Sequence, residues 1–153
     1  MEKILGVLER VSGHTYDTLY DLIVTNERVI AVILQHPSDE IHKLGFGGLL
    51  FGGRLAKGRK RPEREDTVEN RLRSYEEKTF DEMMASHRFN FEIIYDHVSS
   101  VELTNRFFKS HLKFRLTRPS GPDIIIHFSL QKNQFSNTRH LMSLVLPSKI
   151  KEH

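Results

Sequence analysis

The alternation of apolar and polar residues predicts two groups of β-strands. The first group contains Lys3–Val11 and then Tyr20–Leu34, where two apolar runs flank the polar quartet TNER at positions 25–28. Runs that are rich in β-branched residues and almost free of charge are typical of strands in the middle of a sheet. Asn26 tolerates the left-handed backbone that a tight turn needs, so the two runs are predicted to form an antiparallel hairpin.

The second group of strands lies in the C-terminal half. Apolar residues alternate with polar ones in the stretches 89–95, 100–104, 112–117 and 124–130. This alternation is typical of antiparallel strands with one face on a core and the other toward water. From Asn133 the apolar period becomes helical and predicts a closing helix that stops near Pro147. Residues 148–153 are expected to be a frayed tail.

Residues 36–87, between the two groups, have a different character. The stretch 40–64 is rich in glycine and then in basic residues, which predicts a loop because glycine at this density costs backbone entropy. A helix is predicted from about 66 to 86, with a capping box formed by Asp66 and Glu69. Its apolar stripe consists of Val68, Leu72, Tyr75, Thr79 or Phe80, Met83 and His87. The opposite face is strongly acidic.

Composition limits the classes of protein that are possible. A chain of 153 residues predicts a single domain, here residues 1–147. The net charge of +3 is too small to argue for nucleic acid by itself. The absence of cysteine excludes disulfides, thiol catalysis and cysteine-ligated metals. The N-terminus does not resemble a secretory signal, and the apolar stretch Leu44–Gly53 is too short to span a membrane, so a cytoplasmic protein, in solution or peripheral at a membrane, is expected.

Two stretches resemble GRAM-type and bacterial PH-like domains of the pleckstrin-homology-like superfold. LIVTNERVIAV (22–32) is similar to their hydrophobic–x–T–N–x–R–hydrophobic hairpin. FEIIYDHVSSVEL (91–103) is similar to their I–P–Y–x–x–I–x–x–V strand entry, with Ile94 where proline is common. The resemblance covers roughly residues 1–35 and 88–146.

The resemblance implies a mostly β fold with helices. It would be a PH-like barrel of about seven antiparallel strands in two packed sheets, closed by a C-terminal capping helix. Residues 36–87 would be a loop-plus-helix insert between strands 3 and 4, which ordinary GRAM-type domains lack. The basic signature of phosphoinositide-binding PH domains lies around their first two strands, where this chain offers only Arg10 and His14. Inositol-phosphate recognition at the usual site is therefore not expected.

The loop of the predicted insert contains the main candidate binding residues. Its apolar residues can enter the acyl boundary of a bilayer, and each basic residue contributes about 1 kcal/mol at an anionic surface. The candidates are Phe46, Leu49, Leu50, Phe51, Arg54, Lys57, Arg59, Lys60, Arg61 and Arg64. Contact with a protein partner, or packing of the loop on the sheet and the acidic helix, are the alternatives.

Other chemistry is less favoured. The glycine-rich stretch lacks the Lys-Ser/Thr pair of a phosphate-binding loop, and no HExxH or paired metal-ligand spacing is present, so no cofactor, metal or catalytic residue is predicted. The only candidate catalytic cluster would be formed by His97, His111 and His127 if they met in space. The basic run could bind nucleic acid, but the aromatic residues mostly occupy inward strand positions, and a surface around Phe107, Phe108, Lys109, Lys113, Arg115 and Arg118 is therefore less favoured.

The sequence thus favours a non-enzymatic binding or adaptor module that recognises a protein partner or an anionic membrane surface. The alternative is a self-assembling structural domain in which the insert forms a homo-oligomer contact.

Overall fold

The structure, a computed structural model, describes residues 1–13, 18–35 and 65–153. Within these ranges the chain forms strands β1 (Ile4–Ser12), β2 (Leu19–Thr25), β3 (Arg28–Gln35), β4 (Phe91–Ile94), β5 (Val98–Asn105), β6 (Ser110–Leu116), β7 (Ile124–Leu130) and β8 (Ile150–Glu152). The α-helices are α1 (Glu65–Glu77), α2 (Phe80–Ala85) and α3 (Phe135–Val145). Short 3-10 helices span Tyr95–His97 and Lys132–Gln134.

The strands form one mixed sheet in the order β4-β3-β2-β1-β7-β6-β5-β8. Neighbouring strands in this order are antiparallel except β5 and β8, which are parallel. The two halves of the sheet meet at the single pair Ser12 and Ser129 of β1 and β7. The sheet is open, with β4 and β8 at its edges. The prediction of a mostly β fold with helices and a C-terminal helix is confirmed.

The C-terminal residues do not fray, and the expected tail is wrong. The amide of Val101 donates to the carbonyl of Lys149 at 2.9 Å, and the amide of His153 donates to the carbonyl of Leu103 at 2.9 Å. Ile150 packs against the main core. The prediction of antiparallel strands alone is also wrong here, because α3 returns the chain to the side of β5 in the parallel direction.

The predicted hairpin of β2 and β3 is present, but the reason given for Asn26 is wrong. Arg10 is the one non-glycine residue with positive φ (52°) in the described ranges, so Asn26 is not left-handed. Instead, Asn26 Oδ1 accepts a hydrogen bond from the amide of Lys3 at 2.6 Å, and its Nδ2 donates to the carbonyl of Met1. The hydroxyl of Thr25 accepts from the amides of Glu27 and Arg28, at 3.1 and 3.0 Å. The turn is therefore built from side chains.

The main core lies on the inner face of the sheet, under α3. It contains Phe114 and Phe128, both fully buried, together with Leu141 and Met142 from α3. A Cβ atom on Gly6 of β1 would lie 2.9 Å from both Cδ atoms of Leu141, so glycine permits the close approach of α3 to the sheet.

A second apolar cluster covers the outer face of β2 and β3. Ile23, Ile30 and Val32 pack there against Tyr75 of α1 and Met83 near α2's end. These two strands are thus covered on both faces, which explains why their sequences are nearly free of charge.

The predicted helix of residues 66–86 is two helices. Thr79 adopts an extended backbone (φ −72°, ψ 158°) and caps α2, since its hydroxyl accepts from the amide of Glu82 while the Glu82 carboxylate accepts from the amide of Thr79. The predicted apolar stripe nevertheless holds on both sides of this break, because Tyr75 and Met83 are both buried. The side chain of Asp66, half of the predicted capping box, lies outside what the structure describes.

Helix α1 is joined to the sheet by a buried carboxylate. Asp21 of β2 is completely buried, and its Oδ2 lies 2.5 Å from Nε of Arg71 and accepts a hydrogen bond from the Tyr75 hydroxyl at 2.7 Å. Its Oδ1 accepts from the amide of Arg10 at 3.0 Å. Burial and the negative charge of Asp21 raise the pKa of Tyr75, so the hydroxyl remains a donor.

We expect Asp21→Asn to lower the free energy of unfolding by about 3 to 5 kcal/mol, because it removes the buried negative charge that pairs with Arg71. Tyr75→Phe removes one hydrogen bond to a charged group and should cost about 1.5 to 3 kcal/mol. Urea denaturation followed by circular dichroism measures both. The control is Glu76→Gln on the exposed face of α1, expected within about 0.5 kcal/mol of wild type. Equal stability of Asp21→Asn and the control would contradict the structural role of the carboxylate.

Asn26→Gly distinguishes the two explanations of the turn. If a left-handed backbone mattered, glycine would be tolerated or stabilising. Because the side chain bonds to Met1 and Lys3, just before β1, we expect Asn26→Gly and Asn26→Ala each to cost about 1 kcal/mol or more in the same denaturation assay. Asn26→Asp keeps the acceptor for Lys3 and should cost less than either. A glycine variant as stable as wild type would refute the side-chain explanation.

Candidate functional site

The sequence-predicted contact residues of the insert lie outside the described residues. These are Phe46, Leu49, Leu50, Phe51, Arg54, Lys57, Arg59, Lys60, Arg61 and Arg64. Their role stays a prediction, and the candidate site that the structure describes is built from other residues.

The turn between β5 and β6, residues 106–109, presents two adjacent aromatic side chains to solvent; we call it the aromatic tip. Phe107 is 79% exposed and Phe108 is 83% exposed, and their rings meet edge to face with centroids 4.8 Å apart. The amide of Arg106 donates to the carbonyl of Lys109 at 3.1 Å, which closes the turn. Phe107 and Phe108 are thus exceptions to the expectation that aromatic residues mostly occupy inward strand positions, which left a surface around them less favoured. Because a turn has no regular spacing of apolar residues, the alternation pattern could not predict whether these two rings are buried or exposed.

Three cations lie in or beside the aromatic tip. Arg106 and Lys109 flank the two rings in sequence, and Nζ of Lys132 lies 5.5 Å from the centroid of Phe107. None of these three cations forms an ion pair within the part of the chain that the structure describes. By contrast, the outward cations farther along β6 are partly neutralised, with Lys113 3.7 Å from Glu102 and Arg115 3.9 Å from Asp123. The tip therefore carries three cations that lack an ion pair in the described ranges.

A histidine pair lies beside the tip on the outer face of β6 and β7. Nε2 of His127 and Nδ1 of His111 are 2.9 Å apart, with ring centroids 4.8 Å apart. Burial lowers the pKa of His111 below its ordinary value, and the positive charges of Arg106, Lys109 and Lys113 lower it further. Burial, then His111 and Lys113, lower the pKa of His127. Both rings are therefore neutral near pH 7.

Only two of the three candidate histidines meet. His97 is exposed in the 3-10 helix before β5, and its carbonyl accepts the amide of Thr117 just past the end of β6, at the opposite end of β5 from the tip. In the described ranges, no group of three or more histidine, cysteine or acidic residues is arranged to hold a metal ion. The suggested cluster of His97, His111 and His127 does not form.

A polar cleft of about 700 Å³ lies at the far end of the molecule from the tip, where the β2–β3 turn approaches β4 and the end of α3. It is lined by Asn26, Glu27, Arg28, Glu92, Ile94, Tyr95, Asp96 and Val145. Arg28 forms ion pairs with Glu2, through Nε at 2.9 Å, and with Glu92. Its positive charge is therefore already neutralised within the protein. The hydroxyl of Tyr95 donates to the carbonyl of Thr25 at 2.6 Å. These groups hold the turn in place.

Comparisons with known proteins return nothing: no family model, curated protein or solved structure matches this chain. Among the helices that the structure describes, none has the length and apolar character needed to cross a lipid bilayer.

The histidine pair should make stability depend on pH. Its pKa values are lowered in the folded state, so below the ordinary value of 6.5 the unfolded chain binds more protons than the folded chain. Stability contributed by the neutral pair is therefore present above about pH 6.5 and is lost as the pH falls from there toward the lowered folded values. We expect the double variant His111→Asn, His127→Gln to show a flatter loss of unfolding free energy between about pH 7.5 and 5.5, measured by urea denaturation.

The control for this measurement is His97→Gln, which changes an exposed histidine outside the pair and should retain the wild-type slope. A double variant whose pH slope equals that of wild type would show that the pair does not titrate differently on folding.

Proposed function

We propose that this chain is a non-enzymatic binding module with a PH-like architecture, which docks on anionic membrane surfaces through its aromatic tip. The observation that carries the proposal is the pair Phe107 and Phe108, exposed side by side, with Arg106 and Lys109 next to them in sequence and Lys132 over Phe107, cations that lack ion pairs in the described ranges.

The PH-like architecture is supported by the strand order and by the closing helix. The first four strands form one antiparallel run and β5 to β7 another, and β1 and β7 join them at Ser12 and Ser129. Helix α3 packs its Leu141 and Met142 into the core between these two halves. We propose that the two halves form a PH-like barrel, with α1 and α2 belonging to an insert between β3 and β4.

The shape of the tip favours a membrane over a folded partner. Adjacent aromatic rings on a narrow turn form a convex projection, which can enter the interfacial region of a bilayer without a matching pocket. Phenylalanine burial contributes about 1.5 to 3 kcal/mol per side chain, and each cation near an anionic surface adds about 1 kcal/mol. Arg106, Lys109 and Lys132 can supply that second contribution, since two of them flank the rings in sequence and Lys132 lies over Phe107.

A protein partner, including a second copy of this chain, is the second candidate. Interface hot spots are enriched in aromatic residues and arginine. The tip has this composition, since the exposed Phe107 and Phe108 follow Arg106 in the sequence. Such a partner would have to offer a pocket for the two rings. Light scattering that shows a larger particle with rising concentration, lost in Phe107→Ser, would support the second copy.

Binding to vesicles tests the proposal. We expect wild-type protein to sediment with phosphatidylserine-containing vesicles and to be released as the salt concentration rises, because exposed charges are screened. Phe107→Ser with Phe108→Ser should weaken partition about ten-fold or more. Arg106→Gln and Lys109→Gln should each weaken it about five-fold and reduce its salt dependence.

The matched control is Leu144→Ser, which removes an exposed apolar side chain from the last turn of α3 and should leave partition unchanged. Absence of wild-type binding at low salt, or binding that persists fully in the double serine variant, would contradict docking through the aromatic tip.

A further inference from the structure

His111 lies one step of the β-ladder from the last residue pair before the aromatic tip, and its partner His127, opposite Lys113, lies two steps farther along. Asn105 and Ser110 form the last residue pair before the turn, and Thr104 and His111 form the next. A strand rises about 3.3 Å per residue, which sets the distance from the turn to the pair. Protein elements at a membrane interface enter the headgroup region by about 5 to 10 Å. Charges in physiological salt interact over about 8 Å. A tip that docks on a membrane therefore brings the pair within electrostatic reach of the headgroups.

The geometry of the pair decides how it takes up protons. In the neutral pair, one ring presents an N–H and the other a lone pair across the 2.9 Å contact. A first proton on the outward nitrogen of the donor ring leaves this hydrogen bond intact and makes it charge-assisted. A second proton would place two N–H groups and two positive charges against each other. The pair therefore accepts one proton as a unit and resists the second.

The charges around the pair oppose protonation in solution. Arg106 and Lys109 act from the turn, and Lys113 acts from β6. On β5, Glu102 lies within 3.7 Å of Lys113 and offsets part of its charge. At the other side, β1 meets β7 through Ser12 and Ser129, which are uncharged. The net charge around the histidine pair is positive, so the neutral form of both rings is favoured near pH 7.

We propose that the His111–His127 pair takes up one proton when the tip docks on an anionic membrane, so that docking strengthens as the pH falls below neutrality. Phosphate and carboxylate groups of lipids neutralise the surrounding cations and favour the added proton. By linkage, a proton that binds better on the membrane must itself favour membrane binding by the same factor. One added charge corresponds to about a five-fold gain in partition. The inference rests on the membrane-docking function proposed above.

The test is sedimentation with phosphatidylserine-containing vesicles at about pH 7.5 and 5.5, in constant salt. Wild type should bind about five-fold more tightly at the lower pH. The double variant His111→Asn, His127→Gln leaves no titrating ring at this position, and it should bind with little dependence on pH. His97→Gln, which changes an exposed histidine away from the tip, should keep the wild-type response. Pure phosphatidylcholine vesicles should show weak binding at either pH.

Each outcome separates the inference from the function on which it rests. Binding that is equal at both pH values, or a pH response that survives in the double variant His111→Asn, His127→Gln, overturns the proton uptake while membrane docking stands. Absence of wild-type binding at either pH overturns the docking function, and the inference with it. Thermal melting of each variant at both pH values establishes that it is folded during the measurement.

Discussion

The buried carboxylate of Asp21 is the interaction on which the outer layer of this fold depends. A charged group that is buried away from water is stable only when hydrogen-bond and ion-pair partners contact it. The partners of Asp21 come from different parts of the chain: Arg71 and Tyr75 from α1, and the amide of Arg10 from β1. Arg10 adopts a positive φ within an irregular stretch of β1, and its amide donates to Asp21. One side chain thus sets the position of the helix on the sheet and the path of the neighbouring strand.

This arrangement divides the sheet into strands that are covered on both faces and strands that have one partly exposed face. Strands β2 and β3 are buried on both faces, by the main core and by the α1 and α2 layer. Strands β6 and β7 have one face on the core, while His111 and His127 lie on the other face, which is partly exposed. The turn before β6 projects from that part of the sheet on a rigid hairpin. Recognition at such a turn requires little ordering on binding, because the scaffold already holds its backbone.

Much of the fold could be predicted from local pattern, and the errors have identifiable causes. The strands are predicted by the alternation of apolar and polar residues, and the closing helix is predicted by the helical spacing of its apolar residues. The break at Thr79 has a signal in the sequence, since Thr79 with Glu82 is a capping box inside an otherwise regular stripe. Strand β8 has no such signal, because its three residues are too few to show a period. The loop residues Phe46–Arg64, named first as a site, stay a prediction.

The amino-acid sequence by itself determined which side of each strand faces the core, since the transfer of apolar side chains from water depends on local spacing. It also determined where the chain turns. Only the tertiary structure decided which distant groups meet. Asp21 is an isolated acid in an apolar run until Arg71 and Tyr75 are packed above it. His111 and His127 become a pair only through the register of β6 and β7, which is set by long-range packing and leaves no local trace.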